Sequence, residues 1–319
     1  MIHVRELTKR YGDKLALDNV SFDVQIGEVL GVLGLNGAGK STAMNILTGY
    51  IGATSGSVTI DGHDIRREPR AAKRVIGYLP ERLAFYDDMR VREHLDFVCD
   101  LKSVKVGRRE HLASICERVG IAHMTSRIIR NLSKGFRQRL GFAQALVGDP
   151  KVLILDEPTA GLDPFQIIEM RSLIREIGRS SAVMISSHVL SEIQAVCTRI
   201  VVLHDGRLLA DDTPENLGRA VRTGHRVIAR IEGKPKQVQI ALSQVSGIKR
   251  TSVLAQKEPD AYEYLIEGAQ HEDIRADVFR ALAKADLPLL STRGIETSLE
   301  QTFLRLVGEY GAEHAGGKR

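Results

Sequence analysis

The chain has 319 residues, 43% of them hydrophobic and 27% charged, with a formal net charge of +5 and a pI near 9.1. This is the composition of an ordinary soluble protein with a large core and room for two domains, one bigger than the other. No apolar run approaches the roughly 18 residues of a membrane span, and the alternating start Met1-Ile2-His3-Val4-Arg5-Glu6 lacks the continuous apolar stretch of a secretory signal, so a cytoplasmic location is expected.

Four strands are expected first, Ile2 to Leu7, Val20 to Gln25, Val29 to Leu33 and Ser57 to Asp61, with turn signals at Tyr11-Gly12-Asp13 and from Gly52 to Gly56. Between the apolar run ending at Leu33 and a helix expected from about Gly39 to Leu47 lies Gly34-Leu35-Asn36-Gly37-Ala38-Gly39-Lys40-Ser41-Thr42. Small residues between a buried strand and a helix let backbone N–H groups curl around an anion at the helix N-terminus. In such a phosphate loop Lys40 reaches the β- and γ-phosphates as a point charge, and the Ser41 hydroxyl is a ligand of Mg²⁺.

From Glu81 to Arg130 the pattern reads as a helical insertion, with Leu95, Val98, Cys99 and Leu101 on one face and Leu112, Ile115, Cys116 and Val119 on another. Cys99, Cys116 and Cys197 are an odd number with no metal-ligand spacing, and each falls in a segment read as helix, so they are expected to be reduced core thiols. Two basic runs stand out, Arg66, Arg67, Arg70, Lys73 and Arg74, then Arg127, Arg130, Lys134, Arg137 and Arg139. The charge permits an anionic membrane surface or nucleic acid as partner. Neither run carries the interleaved aromatics that stacking on single strands requires, so both read as solvated faces and no nucleic-acid partner is expected.

Val152 to Leu155, Ala182 to Ser186 and Ile200 to Leu203 are short continuous apolar runs, alternating with helical stretches Phe165 to Ile177 and Leu190 to Cys197. That alternation implies an α/β fold with a parallel sheet. Asp156 and Glu157 end the first of these strands, where carboxylates emerge beside a phosphate loop. Asp156 would orient Mg²⁺, and Glu157 would accept a proton from, or polarise, the attacking water. His188 follows the next strand, where a neutral imidazole could sense the γ-phosphate. Asn131 to Gln138, ahead of a helix expected over Arg139 to Leu146, offers the Ser133 hydroxyl and backbone N–H groups as a second anion site. A boundary follows Leu217-Gly218, dividing residues 1–218 from 219–319. The order expected beyond it is strand His225 to Ile231, helix Pro235 to Val245, strands Ile248 to Ala255 and Ala261 to Glu267, helix Ile274 to Ala285 and strand Leu287 to Ser291. This βαββαβ order suits a small α+β domain of ferredoxin-like type, closed by a helix from Ser298 to Val307.

Taken together, the motifs resemble those of the ATP-binding subunits of ABC transporters. Gly34 to Thr42 is similar to Walker A, Leu132 to Phe136 to the signature motif, Val152 to Glu157 to Walker B, and Gly161-Leu162-Asp163-Pro164 to the D-loop. His188 resembles the switch histidine and Tyr11 the aromatic that stacks on adenine. The resemblance covers about residues 2 to 215. It implies an ABC cassette with a parallel core sheet, an antiparallel β subdomain and a helical subdomain at about 81–130. It further implies ATP and Mg²⁺ as ligands and a head-to-tail dimer of two copies or two relatives, in which Ser133 and Gly135 of one subunit face the Walker A loop of the other. The ATP contacts it implies are Tyr11, Gly34, Asn36, Gly37, Ala38, Gly39, Lys40, Ser41, Thr42, Glu81, Ser133 and Gly135, with Ser41, Asp156 and Glu81 at the metal and Glu157 and His188 catalytic. Glu81 stands where most of these ATPases have the Q-loop glutamine, and it accepts hydrogen bonds but cannot donate as the amide does. With Asp163-Pro164 and the tail Ser298 to Phe303, this is most similar to the ABC-2 export type, the group of gliding-motility, multidrug and nitrous-oxide-reductase maturation systems. The implied function is to power export through a separate membrane permease, from the inner face of the cell membrane. A soluble ATPase of the same family acting on ribosome or nucleic acid is the alternative; such relatives carry two cassettes in one chain or a long coiled-coil insertion, neither of which is present here.

Overall fold

The N-terminal alternation folds into a longer strand than its pattern suggests. Ile2, Val4 and Leu7 are buried, and β1 runs Ile2–Tyr11 before a turn at Gly12, with φ of 56°, returns it as β2, Lys14–Val24. The expected start at Val20 is corrected to Lys14 because pairing with β1 continues to the Tyr11–Lys14 end of the hairpin, where no apolar alternation signals it. The computed structural model describes residues 1–220, 226–269 and 274–295.

Strand β3, Val29–Leu33, is buried at every position and leads through the glycine loop into α1, Lys40–Leu47. Strands β4, Ser55–Ile60, and β5, His63–Asp64, complete an antiparallel sheet in the order β2-β1-β4-β5. Helix α2, Pro69–Val75, then passes directly into β6, Ile76–Leu79. The sequence reading assigned neither, since one turn pair rich in charge and four strand residues are too short to show a period.

The helical layer comprises α3, Val91–Lys102, α4, Arg108–Arg118, and α5, Lys134–Leu146. Two expectations are corrected here. Residues 81–90 form no helix: Ile129 N–H donates to Met89 O at 2.9 Å and Arg130 N–H to Asp87 O at 3.0 Å, holding the segment against its neighbour instead. The helix begins after Arg90, whose N–H is capped by Glu93 Oε2 at 2.8 Å. Helix α5 likewise starts at Lys134 and not at Arg139. Ser133 is its N-cap, accepting from the Phe136 N–H at 3.4 Å, and Gly135 in its first turn packs under Gln166.

The remaining elements are β7, Val152–Asp156; α6, Pro164–Gly178; β8, Ala182–Ser187; α7, Leu190–Val196; β9, Arg199–His204; β10, Arg207–Asp212; and α8, Pro214–Ala220. They build a six-stranded sheet in the order β10-β9-β3-β8-β7-β6. Its pairings are parallel except for β10, which returns antiparallel on β9. One core cluster joins the two sheets through α1, with Leu17, Val32, Met44, Leu47, Ile60 and Ile154 buried in it. The fold is thus the α/β cassette expected, with parallel core sheet, antiparallel sheet and helical layer. The three cysteines are free and buried, and burial pushes the Cys197 thiol up to about 12. Among the described residues no helix is long and apolar enough to cross a membrane.

The chain divides into two units between Pro214 and Glu215, ahead of the Leu217-Gly218 boundary read from sequence. The second contains β11, Arg226–Glu232; α9, Pro235–Ser243; β12, Ile248–Glu258; β13, Ala261–Gly268; α10, Arg275–Lys284; and β14, Leu289–Ile295. Sheet order β12-β13-β11-β14, antiparallel throughout, is that of a ferredoxin-like domain. It has its own core, including Val227, Ile231, Val238, Leu242, Tyr264 and Leu282. The closing helix expected from Ser298 lies outside the described residues.

Gly77 fixes how closely β6 approaches the helical layer. A Cβ there would meet Ala145 O at 2.2 Å, Leu153 Cδ1 at 2.9 Å and Pro150 Cγ at 2.9 Å. Gly77→Ala is expected to destabilise the first unit by about 1–3 kcal/mol, as overpacking against backbone does. An unchanged denaturation midpoint in urea would contradict this.

Candidate active site

Strand register creates the site. Leu33 pairs with Ser187, Asp156 with Ser186, and Leu79 with Leu155, so β3, β8, β7 and β6 end nearly level. The next residues of each strand, Gly34, His188, Glu157 and then Glu81 after Pro80, emerge at the same carboxyl edge of the sheet, where ligands of open α/β sheets bind.

The glycine loop is built for close approach. Gly37 and Gly39 have φ of 86° and 106°. A Cβ on Gly39 would lie 2.6 Å from Ala16 O, and one on Gly34 would lie 2.6 Å from Leu203 O. Ala38 is buried beneath the loop. Lys40 is buried too, and its Nζ donates to Gly34 O at 2.7 Å and Leu35 O at 3.2 Å, folding back across the loop. Burial pushes this ammonium below the usual lysine range, while the carboxylates of Glu157, Asp156 and Glu81 oppose the shift.

A cleft of about 400 Å³ opens over the loop. Of the residues singled out in the sequence, Tyr11, Asn36, Gly37, Gly39, Lys40, Ser41, Thr42, Glu81, Glu157 and His188 line it. Gly34, Ala38 and Asp156 are buried and are not among its lining residues. Ser133 and Gly135 are not among its lining residues. Ser133 is exposed at the start of α5, whereas Gly135 is buried, with the Gln166 amide 2.7 Å from the position of a Cβ. Three lining residues went unread, Lys14, Ala16 and Ala160. The first two enter through the β1–β2 hairpin. Tyr11 belongs to the same turn and is stacked under Lys9, whose Nζ is 5.0 Å from the ring centre.

Asp156 and Glu157 have different surroundings although they are adjacent. Asp156 is buried and accepts a hydrogen bond from Ser186 Oγ. Burial pushes its carboxyl above the usual range; the Ser186 hydrogen bond and Lys40 pull it back, and Glu81 and Glu157 push it further up. Glu157 occupies the left-handed region at φ 50°. Its N–H donates to both Ser186 O, at 3.2 Å, and Ser186 Oγ, at 3.1 Å, and this turns its side chain toward His188. His188 Nδ1 lies 2.9 Å from Glu157 Oε1.

The loops carrying these groups are tied by residues that the sequence reading passed over. Glu192 on α7 accepts from Ser187 Oγ at 3.2 Å and from Thr159 Oγ1, joining the segments that follow β7 and β8. Gln138 on α5 donates to Pro158 O at 2.9 Å. A glutamate four residues after a histidine is a weak signal, which only the register between β7 and β8 turns into a contact.

The donor set fits a hard cation shared with phosphate. Glu81, Asp156 and Glu157 repel one another around a single ammonium. Yet among the described residues no group of three or more His, Cys, Asp or Glu is placed to hold an ion alone. Oxygen donors of this kind, one hydroxyl and carboxylates, suit Mg²⁺ completed by phosphate oxygens.

Loop, strand-end carboxylates and histidine on a parallel sheet define a phosphate-loop ATP-binding cassette. A family profile described as ABC transporter matches residues 17–160. The bacitracin transport ATP-binding protein BcrA of Bacillus licheniformis is 32% identical over 316 residues, covering 97% of each chain. The linearmycin resistance ATP-binding protein LnrL of Bacillus subtilis is 27% identical over 310 residues, covering 97% of this chain and 98% of the other. A solved ATP-binding subunit of an ABC transporter superposes with a TM-score of 0.65 at 27% identity, covering 69% of this chain and 92% of that one. The chain belongs to the ATP-binding proteins of ABC transporters, and it is an ATPase.

The raised carboxyl of Asp156 carries a stability sign. Its favourable protonated form is present at low pH and is lost as pH rises through the raised pKa, so the ionised carboxylate destabilises the ligand-free protein near neutrality. Asp156→Asn keeps an oxygen for Ser186. The ligand-free variant is expected to melt at or above the wild-type temperature at pH 7.5, with the difference shrinking toward the ordinary carboxyl value of 3.8, while ATPase activity falls. A variant that melts well below wild type at neutral pH would contradict the assignment.

Proposed function

We propose that this ATPase powers export through a separate integral membrane permease, working as a dimer whose two ATP sites are each completed by the opposite subunit. The observation carrying this reading is the split of the site. One chain supplies the loop, Glu157 and His188 in a single cleft, while the exposed cap Ser133 lies outside it at the start of α5. In a head-to-tail pair, Ser133 and the first N–H groups of α5, beside Gly135, would meet the γ-phosphate held by the partner's loop.

In this reading the loop N–H groups and Lys40 bind the phosphates, with Lys40 exchanging the carbonyls of Gly34 and Leu35 for phosphate oxygens. Tyr11 takes the adenine face at the rim. Glu157 accepts a proton from the attacking water, and His188, hydrogen-bonded to Glu157 Oε1, orients that carboxylate and contacts the γ-phosphate. Ser41, Glu81 and Asp156 would hold Mg²⁺, whose chemistry when bound is to neutralise charge on the β- and γ-phosphates. Residues 1–218 are the ATP-binding domain and 219–319 an accessory domain.

The permease would dock in a groove of about 380 Å³ lined by Tyr50, Tyr78, Pro80, Leu83, Phe85 and Leu101, among others. The groove is mostly apolar, and Pro80 joins it to Glu81 in the ATP cleft. Pressure on one is therefore felt at the other. Lys102 lies at its margin, its amine donating to Ile76 O at 2.9 Å and pushed down to about 8 by burial. Such docking places the chain on the inner face of the membrane. Relatives named for bacitracin transport and linearmycin resistance support outward transport.

Glu157→Gln removes the base and keeps the shape. It is expected to lose on the order of 10²–10⁴ in turnover, yet bind ATP and elute as a stable dimer in its presence. A monomer under ATP in size-exclusion chromatography would count against the shared site. Lys40→Ala is expected to abolish ATP binding, and an unchanged affinity by titration would remove the loop from the proposal.

A further inference from the structure

The two basic runs of the sequence have different fates in the structure. In the second, Arg130 pairs with Asp88 at 2.8 Å, Arg137 with Asp87 at 2.7 Å, and Arg139 with Glu169. Those three charges are spent inside the cassette, and only Arg127 and Lys134 of that run form no ion pair among the described residues. In the first run, Arg66, Arg67, Arg70, Lys73 and Arg74 are exposed, and none of them forms an ion pair among the described residues. The acids nearest in sequence are occupied otherwise. Asp64 Oδ1 accepts the backbone N–H groups of Arg66 and Arg67 at 2.8 and 2.9 Å, and Glu68 faces His63 at 3.4 Å.

This surface is continuous with the apolar groove described above. Tyr50, 79% exposed, lines both that groove and a hollow of about 660 Å³ bordered by Arg66 and Arg67. Lys73, on α2, lines the groove itself. Arg66, Arg67 and Lys73 thus share hollows with the exposed Tyr50, and Arg70 and Arg74 extend the same uncompensated run along α2; a basic cluster with an aromatic at its edge is the combination that anionic bilayer surfaces attract.

We propose that Arg66, Arg67, Arg70 and Arg74, with Tyr50, form a contact surface for anionic phospholipid headgroups. It seats the ATPase against the bilayer beside the permease. This rests on the docking reading for the orientation of the groove, but the lipid contact needs no permease. The partner is a lipid surface and not nucleic acid because the run has a single tyrosine at its edge, with no row of aromatics to receive bases, and adjoins a groove suited to a membrane protein.

The test uses the full chain and protein-free vesicles, either of phosphatidylcholine alone or with one part in three replaced by phosphatidylglycerol. Binding is read by co-sedimentation at low and at physiological salt. The expected result is binding to the anionic vesicles only, weakened by salt, and reduced on the order of a thousandfold in the quadruple variant Arg66→Gln, Arg67→Gln, Arg70→Gln, Arg74→Gln. The four side chains are exposed and outside the ATP cleft, so basal ATPase activity is expected to be unchanged. Equal binding to both vesicle types, no binding to either, or unchanged binding by the variant overturns the proposal. So does tighter binding to a DNA duplex than to anionic vesicles at the same salt, lost in the same variant. ATP-dependent dimerisation of Glu157→Gln, measured separately, shows whether the cassette mechanism stands when the lipid contact fails.

Discussion

Buried Lys40 and Asp156, half-buried Glu157 and exposed Glu81 act on one another at the carboxyl edge of the parallel sheet, and holding this unbalanced set of charges together is what the rest of the cassette serves. One ammonium against three carboxylates is a poor arrangement at the edge of a protein interior. It becomes a good one when a triphosphate and a divalent cation enter together, since the phosphates answer the lysine and the cation answers the acids. Core strands buried at every position, Val29–Leu33 and Val152–Asp156 among them, hold the groups rigidly enough for the ligand to do that work.

Local chemistry was legible in the sequence where it depends on neighbours in the chain. The glycine loop, the acids at the end of β7 and the histidine after β8 each follow an apolar run, and that context alone puts them at strand ends. What brings them together is register, which no single segment encodes. Lys14 and Ala16 reach the cleft only through pairing of β1 with β2, and Glu192 meets Thr159 only because β7 and β8 are adjacent. Helix α5 shows the opposite failure. Gly135 so near its start lowers helix propensity, and the reason for a glycine there lies on another helix, where the Gln166 amide leaves no room for a Cβ. The stretch 81–90 was read as helical only by its place at the head of the insertion: Leu83 and Phe85 are two residues apart, on opposite sides of a helix, and backbone bonds from residues 129–130 hold the segment instead.

The second unit presents a different case. Its βαββαβ order was visible because each element carries its own apolar stripe, and the antiparallel sheet needs only one hairpin, β12 to β13, and two crossovers to close. A core that is complete within the unit leaves its role to its surfaces, and the order of its elements is silent about those.

Glu157 sits in a backbone conformation that glycine or asparagine adopts readily and glutamate does not. Random drift toward better folding would therefore replace it, relieving about 1–2 kcal/mol of strain and disarming the enzyme in the same step. Its presence marks a position where thermodynamic comfort and turnover pull in opposite directions. A lineage that abandons hydrolysis should lose this acid before it loses the sheet that carries it.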